Sequence, residues 1–472
     1  MGGQGICLVL QIASTMVLAR LLTPADFGLI AMVTVIVNFA TMFKDAGLSM
    51  ATVQKDKISH EQISTLFWIN VFISVFLGLC ILGGSPLIAW FYGKPELTAV
   101  TAVLSLSFIL SGLSIQHAAL LRRHMHFGNL ATVKVASQVI MLSVTIVLAL
   151  CGYRYWALVG GSLTTAAITT ALTFFFCPWV PGRMRKGTGV RDMLKFGGHL
   201  TGFEFVNYFA RNADNILIGR YIGADALGLY AKAYQLFMMP ISQIRGPLTQ
   251  VAMPVLCSLK DQPERYVKYY QRLLDILATL TIPLTIYCAL EADFLIRLLL
   301  GSQWVAVVSV FRILAIAGLV QAIASTRGLV LISYGFSKRY FYYGAFSAVL
   351  CVVSFIVGIP YGIEGVAASY TIANYLFLVP ALFYCFSKTP VTVSLFFKTL
   401  FLPLLTGTLA GGGVLLFKHV WPSELFIVHG LSLVLFGLLY IGLSFCRQSI
   451  RETWNMFLKR GLSGLTKKTV EI

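Results

Sequence analysis

Apolar runs of about 20 residues, each long enough to cross a bilayer as a helix, recur from one end of this 472-residue chain to the other. No hydrophilic stretch between them is long enough to fold as a soluble domain. Charged residues make up 11% of the chain and hydrophobic residues 58%, with a mean hydropathy of +0.82, against about 25% charged in an average soluble protein. The pattern predicts an all-α polytopic membrane protein with about fourteen spans: 5–22, 26–43, 63–83, 97–121, 130–150, 155–177, 196–218, 225–255, 272–290, 305–332, 339–358, 362–386, 395–417 and 424–446. The start of the first span lacks the basic residues of a signal peptide and reads as a retained helix. The eighth carries Pro240, Pro247 and Pro254, and proline removes a backbone donor and clashes with the preceding turn, so a kink or break is expected there.

Lys and Arg set the orientation. With the N-terminus inside, 24 of the 36 fall in the segments then placed in the cytoplasm, six in the outer turns (Arg20, Lys94, Arg154, Arg220, Arg297, Lys418) and six within spans. The net charge of +18 is therefore mostly topogenic charge facing anionic lipid, which argues against a nucleic-acid partner. The expected location is the inner (plasma) membrane with both termini cytoplasmic. Nine cysteines lie in or beside apolar segments without a CxxC pair and read as small hydrophobes.

An offset of 200 residues aligns Val17–Ala31 (VLARLLTPADFGLIA) with Leu217–Ala231 (LIGRYIGADALGLYA), pairing Arg20 with Arg220 and Gly28 with Gly228. The same offset pairs Gln4 with Glu204, Gln11 with Arg211 and Thr15 with Asn215 in the preceding helix. Polar residues inside apolar helices are costly, so their registration strengthens the match. Further on, Lys55-Asp56 corresponds to Lys260-Asp261 and Gly93 to Gly301. Two pseudo-symmetric lobes of six helices follow, 1–177 and 196–386, joined by a cytoplasmic linker at 178–195. Spans 13 and 14 (387–446) and a basic cytoplasmic tail (447–472) lie outside the repeat. Six spans per copy give both copies the same orientation, with the pseudo-twofold along the membrane normal. Two like lobes around a cleft suit transport by alternating access.

The seventh span carries Glu204, Asn207, Tyr208, Arg211, Asp214 and Asn215, whose spacings of three and four residues put them on one helical face as a polar stripe,. The first span presents Gln4, Gln11, Ser14 and Thr15 on the equivalent face. One reading makes the stripe helix–helix glue in which Arg211 neutralises Asp214; the other makes it the wall of a water-filled cavity. Lys134, Arg211, Lys232, Arg245, Arg312 and Arg327 fall within spans and outnumber the in-span acids. Buried cations need partners, and an anionic substrate would supply them; arginine suits phosphate because its planar fork donates two parallel hydrogen bonds. Lys134 and Arg312 lie near span ends, where snorkelling to the interface is an equally good account. Candidate substrate-binding residues are therefore Arg211, Arg327, Lys232, Arg245, Asn207, Tyr208, Asn215 and Gln11, with Glu204 and Asp214 as an ion-coupling or ion-pair set. Lys232 and Arg245 face different sides of a straight helix, so both point inward only if the helix breaks near Pro240.

The stretches VLARLLTPADFGLIAM (17–32), FKDAGLSMATVQK (43–55) and YIGADALGLYAKAYQLFMMP (221–240) resemble the oligosaccharide-exporting branch of the multidrug/oligosaccharidyl-lipid/polysaccharide superfamily. The resemblance is to the colanic-acid and teichuronic-acid exporter type and covers nearly the whole chain. It implies a flippase that moves an undecaprenyl-pyrophosphate-linked sugar repeat unit from the cytoplasmic to the periplasmic leaflet. It also implies a monomer working beside the polysaccharide polymerase and export machinery. A multidrug or cation antiporter of the same architecture is the alternative, but it should present acids to its cargo rather than a cationic excess. A membrane polymerase or ligase would be expected to hold acid–base groups in a sizeable outer loop, and the outer turns here are short. Neither HExxH nor a metal-spaced His/Asp cluster occurs, so no catalytic residues, metal or cofactor are expected.

Overall fold

A computed structural model of the chain describes residues 2–45, 48–54, 58–184, 208–209, 211–421 and 426–444. In chain order the helices are α1 (Gly2–Leu21), α2 (Pro24–Asp45), α3 (Leu48–Gln54), α4 (His60–Tyr92), α5 (Glu96–Arg123), α6 (Phe127–Leu150) and α7 (Tyr155–Phe176). They continue with α8 (211–221), α9 (Ala224–Ser258), α10 (Pro263–Leu290), α11 (Ala292–Leu299), α12 (Val307–Ala324) and α13 (Arg327–Ser333). Then come α14 (Ser337–Gly358), α15 (Gly362–Phe386), α16 (Val393–Val420) and α17 (Phe426–Ser444). Each of the fourteen expected spans meets a helix, the seventh only from Tyr208 onward. Among the described residues, ten segments are long and apolar enough to cross a membrane, one of which, Ser337–Phe386, holds both α14 and α15.

Local chemistry sets several boundaries. Ser59 caps α4 through a reciprocal box, its hydroxyl accepting from Gln62 N at 3.2 Å while Gln62 Oε1 accepts from Ser59 N at 3.1 Å,. The same helix stops at Gly93, whose φ of +65° favours a residue without Cβ,. At the start of α2, Asp26 Oδ2 accepts from Thr23 N at 3.0 Å and from the Thr23 hydroxyl at 2.7 Å, with Pro24 at the first helical position. Arg154 lies 3.5 Å from the other carboxylate oxygen of the buried Asp26, tying the turn before α7 to the start of α2.

The chain divides into two units. The first comprises residues up to Ala231 together with Ile296–Ala306 and Ile359–Ile363. In it α4 packs along α5, α6 along α7, α5 on α7, and α1 on α6. The segment after α11 seats on the end of α1. Trp304, fully buried, donates from Nε1 to Ala19 O at 2.8 Å, Gln303 Nε2 donates to the same carbonyl, and Arg20 donates to Leu298 O at 3.0 Å. These bonds fill carbonyls that a helix C-terminus otherwise leaves without partners. The repeat-related end of α8 meets the end of α4: Arg220 lies over the Phe91 ring at 5.8 Å, and Gly219 abuts Tyr92.

The second unit takes the remaining residues from Lys232 onward and is built on α10, which packs against α12 and α16, with α17 on α16. Its core joins Tyr266, Tyr270, Leu274 and Leu277 to Ile323, Leu331, Leu382 and Phe396. The tenth span is interrupted at Ser325–Thr326, and buried tyrosines hold the interruption: Tyr270 OH and Thr326 Oγ1 are 2.9 Å apart, Tyr266 OH and Ser333 Oγ 2.7 Å. A buried carboxylate fastens α16 and α17 to the α10–α11 junction. Glu291 accepts from Lys418 Nζ at 2.7 Å and Ser432 Oγ at 3.1 Å and pairs with His429 Nδ1 at 2.8 Å, while Phe294 stacks on that imidazole at 3.9 Å.

The break expected near Pro240 is absent: α9 is a single helix of 35 residues with Pro240, Pro247 and Pro254 inside it. Its exposed residues explain the tolerance. Gln243, Pro247, Gln250, Pro254 and Cys257 are all exposed and recur at steps of four and three, on one face. The carbonyls that Pro247 and Pro254 leave without donors belong to Gln243 and Gln250, on that same face, where a solvent molecule can bond them.

Candidate functional site

On most helices the outward-facing residues suit lipid. On α4 the exposed residues include Phe72, Phe76, Leu79 and Leu87; on α15, Ile372, Leu376 and Phe383; on α17, Leu433, Val434 and Leu438. These are lipid-facing surfaces. Helices α2 and α9 differ. Within α2 the exposed residues are Asn38 and Thr41, with Thr34 half-buried on the same face. On α9 Ser242, Gln243 and Gln250 are exposed, and Val251 is the exposed large apolar residue. Amide groups turned to hydrocarbon cost several kcal/mol each, so these two faces look onto water.

The α2 face belongs to the first unit, where two of the expected site residues join it. Tyr208 donates its hydroxyl to Val35 O at 2.6 Å, and its ring lies 5.8 Å from that of Phe39. Arg211, which opens α8, is exposed, and its repeat mate Gln11 on α1 is exposed as well. Asp214 is buried; Tyr230 donates to it at 3.2 Å and Asn215 N at 2.8 Å. Among the described residues no ion pair joins Arg211 to Asp214. Asn215 is half-buried. Glu204 and Asn207 lie outside the described residues.

In the second unit the α9 face is accompanied by cations at different places. Lys232 is buried and donates to Gln235 Oε1 at 3.2 Å. Because α9 is continuous, 100° per residue leaves Lys232 in register with the Gln243–Gln250 face and Arg245 about 160° away from it. Arg245 is half-buried. Arg327 opens α13 directly after the Thr326 interruption, with its guanidinium 5.0 Å from the centre of the Tyr343 ring. Sequence reasoning missed Thr34, Asn38, Thr41, Gln243 and Gln250. Their spacing at three, four and seven residues was the available signal, but each residue is mild alone and the ionised groups drew attention first.

A helical membrane protein with lipid-facing rims and two long helices turned to water has the construction of a multi-pass transporter. Solved structures share this fold. The lipid II flippase MurJ in an inward closed conformation superposes with a TM-score of 0.75 at 14% identity, covering 94% of this chain and 97% of that one. An inward-facing multidrug-resistance transporter of the MATE family superposes with a TM-score of 0.64 at 15% identity, covering 80% and 93%.

Residues 17–309 match the family described as polysaccharide biosynthesis protein, and the chain belongs to that family. Teichuronic acid biosynthesis protein TuaB of Bacillus subtilis is 27% identical over 377 residues, covering 78% of this chain and 77% of its own. Lipopolysaccharide biosynthesis protein WzxC of Escherichia coli is 24% identical over 359 residues, covering 75% and 72%. This is the exporter branch that the stretches at 17–32, 43–55 and 221–240 resemble.

Proposed function

We propose that this protein is a flippase that carries an undecaprenyl-pyrophosphate-linked oligosaccharide repeat unit from the cytoplasmic to the periplasmic leaflet for surface polysaccharide biosynthesis. The observation that carries the reading is the pair of polar, outward-facing surfaces on α2 and α9, with Arg211 exposed beside the first. A saccharide and a pyrophosphate need water-like surroundings across hydrocarbon, and the polyprenyl tail needs lipid. Polar helix faces within apolar rims offer both. Arg211 takes the pyrophosphate through its two-pronged donor edge. The relatives bear names from teichuronic acid and lipopolysaccharide biosynthesis, and a further one, ExoT of Rhizobium meliloti, is named a succinoglycan biosynthesis transport protein. The protein transports rather than catalyses, and it sits in the inner membrane with both termini in the cytoplasm. It works as a monomer within the polysaccharide assembly machinery.

An antiporter of cationic drugs would use the same architecture. Arg211 is exposed at the polar face and would repel such cargo, which favours the anionic lipid. Charge reversal separates the two: Arg211→Glu should abolish polymer export while the protein still inserts, and Arg211→Lys should keep part of it, retaining the charge but losing the fork. Wild-type export from the glutamate variant would contradict the anion site.

A further inference from the structure

In the first unit the chain leaving α7 folds back as a strap over the start of α4 and the end of α5. His117 Nε2 donates to Trp179 O at 3.0 Å and Trp179 Nε1 to His60 Nδ1 at 3.1 Å. Gly182 N donates to Ser64 Oγ at 2.9 Å, and Trp68 Nε1 donates to Gly182 O at 2.9 Å. Between the strap and α4 lies a cavity of about 860 Å³, lined by Trp68, Ile69 and Phe72 of α4 and by Gly182, Arg183 and Met184 of the strap. Among the described residues of its wall Arg183 alone is charged.

The depth of the cavity follows from α4. Its 33 residues make about 50 Å of helix, which overruns a roughly 30 Å hydrocarbon core by about 10 Å at each end when centred. Trp68, about 12 Å from the helix start, then lies at the boundary where tryptophan settles, and Phe72 lies one turn deeper, in hydrocarbon. Gly182 is bonded to both Ser64 and Trp68, which holds the neighbouring Arg183 at that boundary. The cavity opens toward lipid: Phe72 is 73% exposed, Met184 59% and Trp68 42%. This is the end of α4 that the Lys and Arg distribution assigns to the cytoplasm.

We propose that this cavity binds a phospholipid with an anionic headgroup from the cytoplasmic leaflet, an acyl chain lying along Phe72, Ile69 and Met184 and the phosphate meeting Arg183. An apolar wall with one placed charged group is the make-up of a ligand site, and a guanidinium donates two parallel hydrogen bonds to phosphate. Charge selects the headgroup. Residues 178–195 hold five Lys and Arg against one Asp, so a zwitterionic headgroup brings its own ammonium into basic surroundings and phosphatidylglycerol does not. Basic clusters beside a span on the cytoplasmic side attract anionic lipid. The polyprenyl tail of a cargo must travel between leaflets, whereas the bonded strap fixes this cavity at one boundary. The bound lipid ties the start of the linker to its leaflet, whatever the cargo.

The test titrates purified full-length protein in a neutral detergent with phosphatidylglycerol or phosphatidylcholine carrying brominated acyl chains, which quench nearby indoles. The quenching that disappears in Trp68→Phe belongs to Trp68. Met184→Trp, on the exposed strap, supplies a second reporter that leaves the Trp68 bond in place. At both reporters half-saturation should come at about fivefold less phosphatidylglycerol than phosphatidylcholine. Arg183→Gln should erase that preference and Arg183→Lys should keep it. Equal half-saturation for the two lipids, or a preference unchanged in Arg183→Gln, would overturn the site. No quenching at either reporter would also overturn it and assign the cavity to the chain beyond Met184. Undecaprenyl phosphate displacing the brominated lipid at lower concentration than unbrominated phosphatidylglycerol would overturn it in favour of a polyprenyl tail.

Discussion

Gly28 and Gly228, two hundred residues apart and paired by the sequence repeat, each pack against the residue that opens the other's helix. A Cβ on Gly28 would fall 1.7 Å from Ala224 O, and a Cβ on Gly228 would fall 1.9 Å from Pro24 O. Pro24 and Ala224 are themselves separated by the same two hundred residues. A contact in which residue i meets j′ and j meets i′ is the mark of a twofold relation, here between the starts of α2 and α9. It also gives a reason for glycine in both copies, because the obstacle is backbone and no rotamer change can clear it.

Substituting either glycine should therefore be costly. Gly28→Ala or Gly228→Ala forces α2 and α9 apart and should destabilise the protein by about 1–3 kcal/mol or more. Gly5→Ala, whose Cβ would meet nothing within 4 Å, should be neutral or slightly stabilising. Unfolding midpoints of the purified variants in detergent check both; equal midpoints would mean that the helices do not meet at this crossing.

Exposure to lipid and exposure to water can be told apart chemically. With native cysteines replaced, single cysteines at Asn38 and Gln243 should react with a small water-soluble maleimide, as should cysteines at Gln11 and Arg211. Cysteines at Phe72 and Leu376, which are 73% and 74% exposed, should react far more slowly because hydrocarbon excludes the reagent and suppresses the thiolate. Equal rates at all these positions would remove the distinction on which the site rests.

Much of this was readable beforehand, and the remainder fails for identifiable reasons. The helices were legible because an apolar run of 20 residues has one solution in a bilayer, and the repeat because Arg20, Gly28 and their mates share a register. The continuity of α9 was not legible. Proline was weighed by its cost in a soluble helix interior, whereas Pro247 and Pro254 lie on a face where water can bond the freed carbonyls. The interruption at Ser325–Thr326 carries no proline, and its partners Tyr266 and Tyr270 are more than fifty residues away. Lys418 and Arg154 were counted only as outer-turn charges; the ion pairs they make with Glu291 and Asp26 depend on folding that no local pattern reveals.

The Glu291 cluster should hold the last two helices in place. Glu291 is 1% exposed, and removing one partner of a buried pair strands the other. Glu291→Ala should cost about 3 kcal/mol, the low end of the range for such pairs, since Lys418 keeps some access to water. Glu291→Gln keeps acceptors for Lys418 and Ser432 and should cost less. Chemical denaturation monitored by Trp fluorescence checks the order, and an alanine variant as stable as wild type would show that the cluster adds nothing.

Orientation is checked by fusions. Alkaline phosphatase joined after Lys94, Arg154 or Lys418 should be active, and after Lys338 inactive, as the Lys and Arg distribution requires. Activity at Lys338 would reverse the assignment of every loop.

Transbilayer movement itself tests the central claim most directly. Proteoliposomes containing the purified protein and the lipid-linked repeat unit, labelled on its sugar, would be treated with a membrane-impermeant reductant that bleaches outward-facing label. A flippase predicts that bleaching passes the half-way level reached in protein-free vesicles, and that Arg211→Glu returns it to that level. Bleaching that stops half-way with wild-type protein of confirmed fold and insertion would contradict the account.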